Sequence, residues 1–257
     1  MTAPEANWGE RAFLALFLAA SAVALNLQQM VDPDLFWHLR GGADICAAGR
    51  PVLADTWNYL FQGKVWVNQQ WLTEVLLDRA FAFGGFWGLM ALRTAVALGT
   101  VALLLGALVQ RPPIARYLAA AVFVACSAKF FLFRTHTFSF LMMAAVLFVL
   151  ERKQGWRRLP WLCGLFALWA NLHAFFGLGL LVAGCYYLAE WWTQGRKLTP
   201  AGISPMAAVP LFASATLLNP FGWRVWETAF ATLGHSESYL VTEWWPVWRY
   251  PFMASAP

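Results

Sequence analysis

Apolar residues along the chain gather into seven runs, at about 12–30, 86–109, 114–128, 136–150, 159–172, 174–191 and 203–218, separated by short polar joints. A membrane-spanning helix needs about 20 residues, with a range of about 17–25. The first, second and sixth runs meet that length. The third, fourth, fifth and seventh are shorter, and would have to border polar cavities or lie beside irregular backbone. The pattern predicts an all-α integral membrane protein of about seven transmembrane helices.

The only sizeable joint follows the first run, and it has its own periodicity. "VDPDLFWHLRGG" opens it: Pro33 marks a turn, and Asp34 is placed to cap a helix running to about Ala48, where "AAGRP" stops it. "DTWNYLFQGKVWVN" (55–68) alternates aromatic and β-branched residues around Gln62-Gly63, the signature of a short hairpin. "QWLTEVLLDRAFAF" (70–83) reads as a second amphipathic helix, with Glu74, Asp78 and Arg79 on one side, ending at Gly84-Gly85. Two juxtamembrane helices with a hairpin between them would form a lid over the outer ends of the spans. The chain thus divides, within one membrane domain over 1–257, into a first span (12–30), an outer loop (32–85), the remaining spans (86–218) and an outer-face tail (219–257).

Composition sharpens this picture. Hydrophobic residues make up 60% of the chain and charged ones 12%, about half the share usual in soluble domains. Sixteen tryptophans fit a chain that crosses membrane–water interfaces. The joints "QRPPIAR" (110–116), "ERKQGWRR" (151–158) and "WWTQGRK" (191–197), together with the N-terminal segment, hold nine of the eighteen Lys and Arg but, counting Glu190 at the edge of the last joint, four of the thirteen acids. By the positive-inside rule those joints are cytoplasmic, as is the N-terminus, and the loop at 32–85 faces outward. The formal charge of +5 is therefore topological and implies no nucleic-acid partner. "AASA" (19–22) resembles a cleavage site, but Glu5 and Glu10 against Arg11 make a poor signal-peptide n-region, so the first run reads as a retained span. Cys126, Cys163 and Cys185 fall within spans and Cys46 lies outside without a partner, so no disulfide framework is expected.

The outward joints collect the chain's chemistry. They carry Asp32, Asp34 and His38; Lys129, Arg134 and His136; Asn171 and His173; and, after the last span, His235, Glu237 and Glu243. All four histidines are among them. Ionisable groups at a membrane edge are costly and tend to serve function. Each also has a structural reading: Asp32 or Asp34 as a helix cap, His38 as an interfacial hydrogen-bonding residue, Arg134 as a snorkelling cation, and Asn171 and His173 as satisfying backbone freed at a helix break. As a set, carboxylates can act as general base or hold a divalent cation such as Mg2+ or Mn2+, and Arg and Lys can bind a phosphate. The combination suggests a substrate with a lipid tail and an anionic head.

In order, "DPDLFWHLRGGADI", "VNQQWLTEVLLD", "FRTHTFSF", "WANLHAFFGLGL" and "NPFGWRVWE" resemble the motifs of bacterial polytopic membrane proteins of GT-C glycosyltransferase type, which read DPDxWWHLxxG, WxxxEWL, RPxxFS, WxNxHGGFxxGL and NPxG. The resemblance covers nearly the whole chain. It implies a seven-span module in the bacterial cytoplasmic (inner) membrane, with its site on the periplasmic face and a polyprenyl-phosphate-linked sugar as donor. It places the loop acid on Asp32 or Asp34, as base or metal ligand, and matches the family histidine to His38. Arg134 becomes a candidate phosphate partner, beside Lys129 and His136, and Asn171 and His173 match the fifth-to-sixth turn. Departures from the family pattern fall at Thr135 in place of a proline, at His136 in place of a glutamine, and at Ala174-Phe175 in place of a glycine pair. Full-length proteins of this type continue beyond the seventh span with an acceptor module, and this sequence resembles the common module alone. Two functions follow as expectations: transfer of a sugar from a lipid-phosphate carrier, or a non-catalytic scaffold subunit of a larger membrane complex, respiratory or photosynthetic for example.

Overall fold

The computed structural model describes residues 8–26, 32–195 and 203–235. Within them the chain is all-helical: α1 (Trp8–Asn26), α2 (Asp34–Ala48), α3 (Trp71–Ala107), α4 (Pro113–Ser127), α5 (Thr137–Arg152), α6 (Arg158–Leu172), α7 (Phe176–Thr193), α8 (Pro205–Ala215) and α9 (Arg224–His235). Each of the seven apolar runs forms a helix: α1, the second arm of α3, and α4 to α8. Two described helices, α1 and α3, are long and apolar enough to cross a bilayer, and α4 and Met206–Ala215 are shorter apolar helices.

The outer loop departs from expectation in two places. Pro33 already has right-handed helical angles, so the cap of α2 is not Asp34 but Asp32, whose Oδ1 accepts the Asp34 N–H at 3.0 Å. The expected hairpin at 55–68 forms no strand, and its pairing is a single antiparallel bridge between Ala54 and Val65. Asp55 accounts for this. Its carboxylate accepts the N–H groups of Trp57 and Asn58 at 2.8 and 2.9 Å, and such side-chain bonds hold the backbone in turns instead of a ladder.

The second amphipathic helix and the second apolar run are one element, α3, broken where the glycine pair stands. Gly85 adopts φ 57, ψ −139, a conformation open to glycine and strained for other residues. The bend is tight: a Cβ on Gly88 would lie 1.9 Å from the Ala80 carbonyl oxygen. The first arm packs on α2, while the second runs between α1, α4 and α5.

Beside a smaller cluster of Leu35, Leu77, Leu89 and Phe133 between α2, α3 and the α4–α5 link, two apolar clusters hold the bundle. Phe166, Trp169, Phe176, Tyr187 and Phe212 centre one among α6, α7 and α8, and Leu25, Val101, Leu105 and Phe131 centre the other among α1, α3 and the α4–α5 link. At the end of α6 and α7 near the basic joints, buried Arg158 donates through Nη1 to both carboxylate oxygens of Glu190 at 2.9 Å. Outside these clusters the helices keep apolar side chains on their outward faces. Ile114, Leu118 and Val122 are exposed along α4 and Leu178, Leu181, Leu188 and Trp192 along α7, at the spacing of a single helical face.

Candidate functional site

The helix ends opposite Arg158 meet in one hydrogen-bonded assembly. It joins the entry to α2, the start of α3, the α4–α5 link and the α6–α7 turn. The Gln70 side-chain oxygen accepts the Thr135 hydroxyl at 2.7 Å, and Thr73 donates to the Leu172 carbonyl at 2.8 Å. Asn171 is the keystone of this frame. Its oxygen accepts the Trp71 indole N–H at 2.9 Å, and its amide nitrogen donates to the carbonyls of Ala167 and Leu218 at 2.7 and 2.9 Å. Its polar atoms are thus committed to α3, α6 and the end of α8, and it takes the backbone-satisfying role named for it above.

Asp32, Asp34 and Arg134 come together as the sequence suggested. Arg134 Nε donates to Asp32, and its Nη2 lies 3.0 Å from Asp34. Asp32 is buried, with a side-chain exposure of 3%, whereas Asp34 is 51% exposed. Both Asp32 oxygens are occupied, one by the guanidinium and one by the Asp34 N–H. Arg134 therefore stands where a cation between the two carboxylates would sit. This donor set does not fit Mg2+ or Mn2+, since one accessible carboxylate already paired with an arginine is no cage for a hard ion. Among the described residues no group of three or more His, Cys, Asp or Glu is placed to hold a metal.

His38 lies deeper. Its Nδ1 is 3.1 Å from Glu74 Oε1, and Glu74 Oε2 accepts the Asn68 amide at 2.6 Å. The Gln70 N–H donates to Asn68 Oδ1, which fixes the orientation of that amide. All three side chains are buried. Glycine makes this possible: a Cβ on Gly41 would lie 2.5 Å from Glu74 Oε2, and one on Gly42 2.2 Å from the Glu74 carbonyl oxygen.

His173, in the α6–α7 turn, has its own network. Trp169 Nε1–H donates to Ser139 Oγ at 2.9 Å, so the serine hydroxyl is free to donate to His173 Nδ1 at 2.9 Å, and the Phe175 N–H points to the same nitrogen at 3.4 Å. Burial, and after it the imidazoles of His136 and His38, push His173 down from 6.5 to about 3. It is neutral at pH 7, with its proton on Nε2. His136 lies 6.4 Å from His173 between ring centres and donates through Nε2 to the Phe130 carbonyl at 2.7 Å.

Three of the four histidines thus share one neighbourhood with the acid–arginine cluster. Lys129 falls in a 3-10 turn, Ala128–Phe130, with its side chain outside the described set. The His235 side chain, Glu237 and Glu243 also lie outside the described residues. Asn68, Gln70 and Ser139 were not singled out from the sequence, and Glu74 was named only as part of the polar side of its helix. The signal for Glu74 was present in Gly41-Gly42, because paired small residues on one helix mark the close approach of another.

The chain matches no protein-family model, and neither curated proteins nor solved structures show a significant similarity to it.

Proposed function

We propose that this protein is a seven-span, GT-C-like membrane module that handles a polyprenyl-phosphate-linked sugar at the outer, periplasmic face of a bacterial inner membrane. The observation that carries the reading is the convergence of Asp32, Asp34, Arg134, His38, His136 and His173 at one end of the bundle. Lipid contact is supported by the apolar stripes on the outward faces of α4 and α7, which a water-facing helix does not carry in such length. The basic joints at the opposite end supply the orientation.

In this reading Arg134 is the phosphate partner. Asp32, buried and capping α2, holds its Nε side. Asp34, half exposed, holds Nη2 until a phosphate displaces it, because an exposed ion pair is worth about 0–1 kcal/mol and a phosphate offers a stronger, charge-assisted partner. His173 adds a neutral N–H donor nearby. The sugar–phosphate bond is then cleaved as an acceptor hydroxyl or amine attacks the anomeric carbon. The test is a titration of the protein in nanodiscs with farnesyl phosphate and with farnesol. The reading expects binding of the phosphate only, weakened at least tenfold by Arg134→Gln and strengthened by Asp34→Asn. Equal binding of phosphate and alcohol would count against it.

A second reading, a non-catalytic subunit of a larger membrane complex, draws on the exposed tip of the outer loop. Tyr59, Leu60 and Phe61 are exposed there, as a clamp for a neighbouring chain would be. Stoichiometric co-purification with other subunits distinguishes the two.

A further inference from the structure

The bonds around His38 and His173 orient the two rings oppositely. A glutamate carboxylate only accepts hydrogen bonds. Asn68, held by the Gln70 N–H, donates to Glu74 Oε2 at 2.6 Å, which leaves Oε1 to accept from His38 Nδ1 at 3.1 Å. Neutral His38 then carries its proton on Nδ1 and leaves Nε2 without a hydrogen, and no described residue donates to it. His173 is the reverse, with Nδ1 occupied by Ser139 and the Phe175 N–H and a proton on Nε2. One imidazole takes a proton and the other offers a hydrogen bond.

Resting on the functional reading above, we propose that His38 is the general base for the acceptor and that Glu74, through Nδ1, is the residue that positions it. Asp34 is less suited, because it faces the guanidinium that the phosphate requires. The acceptor's O–H or N–H bond breaks and its proton passes to His38 Nε2. The freed electron pair forms the bond to the anomeric carbon. The sugar C–O bond to phosphate breaks, and its electron pair leaves with the polyprenyl phosphate. Glu74 accepts the Nδ1–H throughout and stabilises the imidazolium that forms, as a carboxylate behind a catalytic histidine does.

The experiment uses the full chain in nanodiscs, labelled with 15N-histidine. In the unmodified protein the His38 ring is expected to show the Nδ1–H tautomer and that of His173 the Nε2–H tautomer. In Glu74→Gln the side-chain amide must face either Asn68 or His38 with an N–H, so the His38 tautomer shifts or becomes mixed, whereas Glu74→Asp restores it in part. Diethyl pyrocarbonate, which acylates bare imidazole nitrogen, should modify His38 several-fold faster than His173, and saturating farnesyl phosphate should slow that reaction. An Nε2–H tautomer at His38 in the unmodified protein overturns the proposal, even if the Glu74 variants fail to fold. Binding of farnesyl phosphate that leaves His38 as reactive as before also overturns it. If farnesyl phosphate does not bind while the tautomers stand as described, the ligand reading fails and takes the base role with it.

Discussion

Removing Arg134 probes the charge arrangement most sharply. In Arg134→Met, Asp32 keeps its Asp34 N–H but loses the guanidinium, and at 3% exposure water cannot replace it. Stranding a buried charge in this way costs about 3–5 kcal/mol. Near the midpoint a chain of this length loses roughly 2–4 °C per kcal/mol, so the melting temperature should fall on the order of 10 °C. Asp34→Asn, by contrast, removes a half-exposed partner and should cost no more than about 1 kcal/mol. The double variant Asp32→Asn/Arg134→Met leaves no stranded charge at that site, and asparagine still caps the helix, so most of the loss should be recovered. Thermal unfolding in nanodiscs, followed by the intrinsic fluorescence of the tryptophans, reads all three. A loss below about 1 kcal/mol in Arg134→Met, or no recovery in the double variant, would refute the claim that Asp32 is a buried charge held by Arg134.

Three further outcomes follow. His173 is held near 3 when folded, against 6.5 unfolded, so the unfolded state takes up the proton first. Stability should therefore fall as pH drops from about 6.5 toward 3, by on the order of 2 kcal/mol at pH 4.5–5, and His173→Gln should remove that part of the slope in pH-dependent melting curves. Gly42→Ala would drive a methyl into the Glu74 carbonyl; overpacking of this kind costs about 1–3 kcal/mol, and the 15N spectrum should show His38 detached from Glu74. Cys126 and Cys185 are exposed on the protein surface but face lipid in the proposed topology. A charged maleimide should leave both unlabelled in nanodiscs, and should label half-buried Cys46 from the outer side of intact cells.

Much of the helical framework was legible in the chain, because runs of apolar residues and their breakers act locally. Gly84-Gly85 ended the amphipathic arm where expected, and all seven runs fold as helices. The hairpin was not legible, because the alternation of Trp57, Tyr59 and Phe61 was outweighed by Asp55 bonding its own following N–H groups. α9 was missed, since residues 219–257 read only as an outer-face tail. At the site, residue types pointed to the right neighbourhood but not to the division of labour. Asp32 and Asp34 look alike in sequence, yet one is buried behind Arg134 and the other half exposed. Asn171 could be read from sequence as a ligand-binding amide or as a partner for freed backbone, and its bonds to Trp71 and Leu218 are visible only in the fold. Glu74 looked like one acid on a polar face, since burial against Gly41-Gly42 depends on a partner helix roughly thirty residues away.

The most direct test of the central claim is native mass spectrometry of the particle extracted from its own membranes in mild detergent. The account predicts a 28.8 kDa chain retaining a polyprenyl phosphate, with the lipid lost in Arg134→Gln. A lipid-free chain in fixed stoichiometry with other proteins would contradict it, and would make the outer-face cluster a structural joint in that assembly.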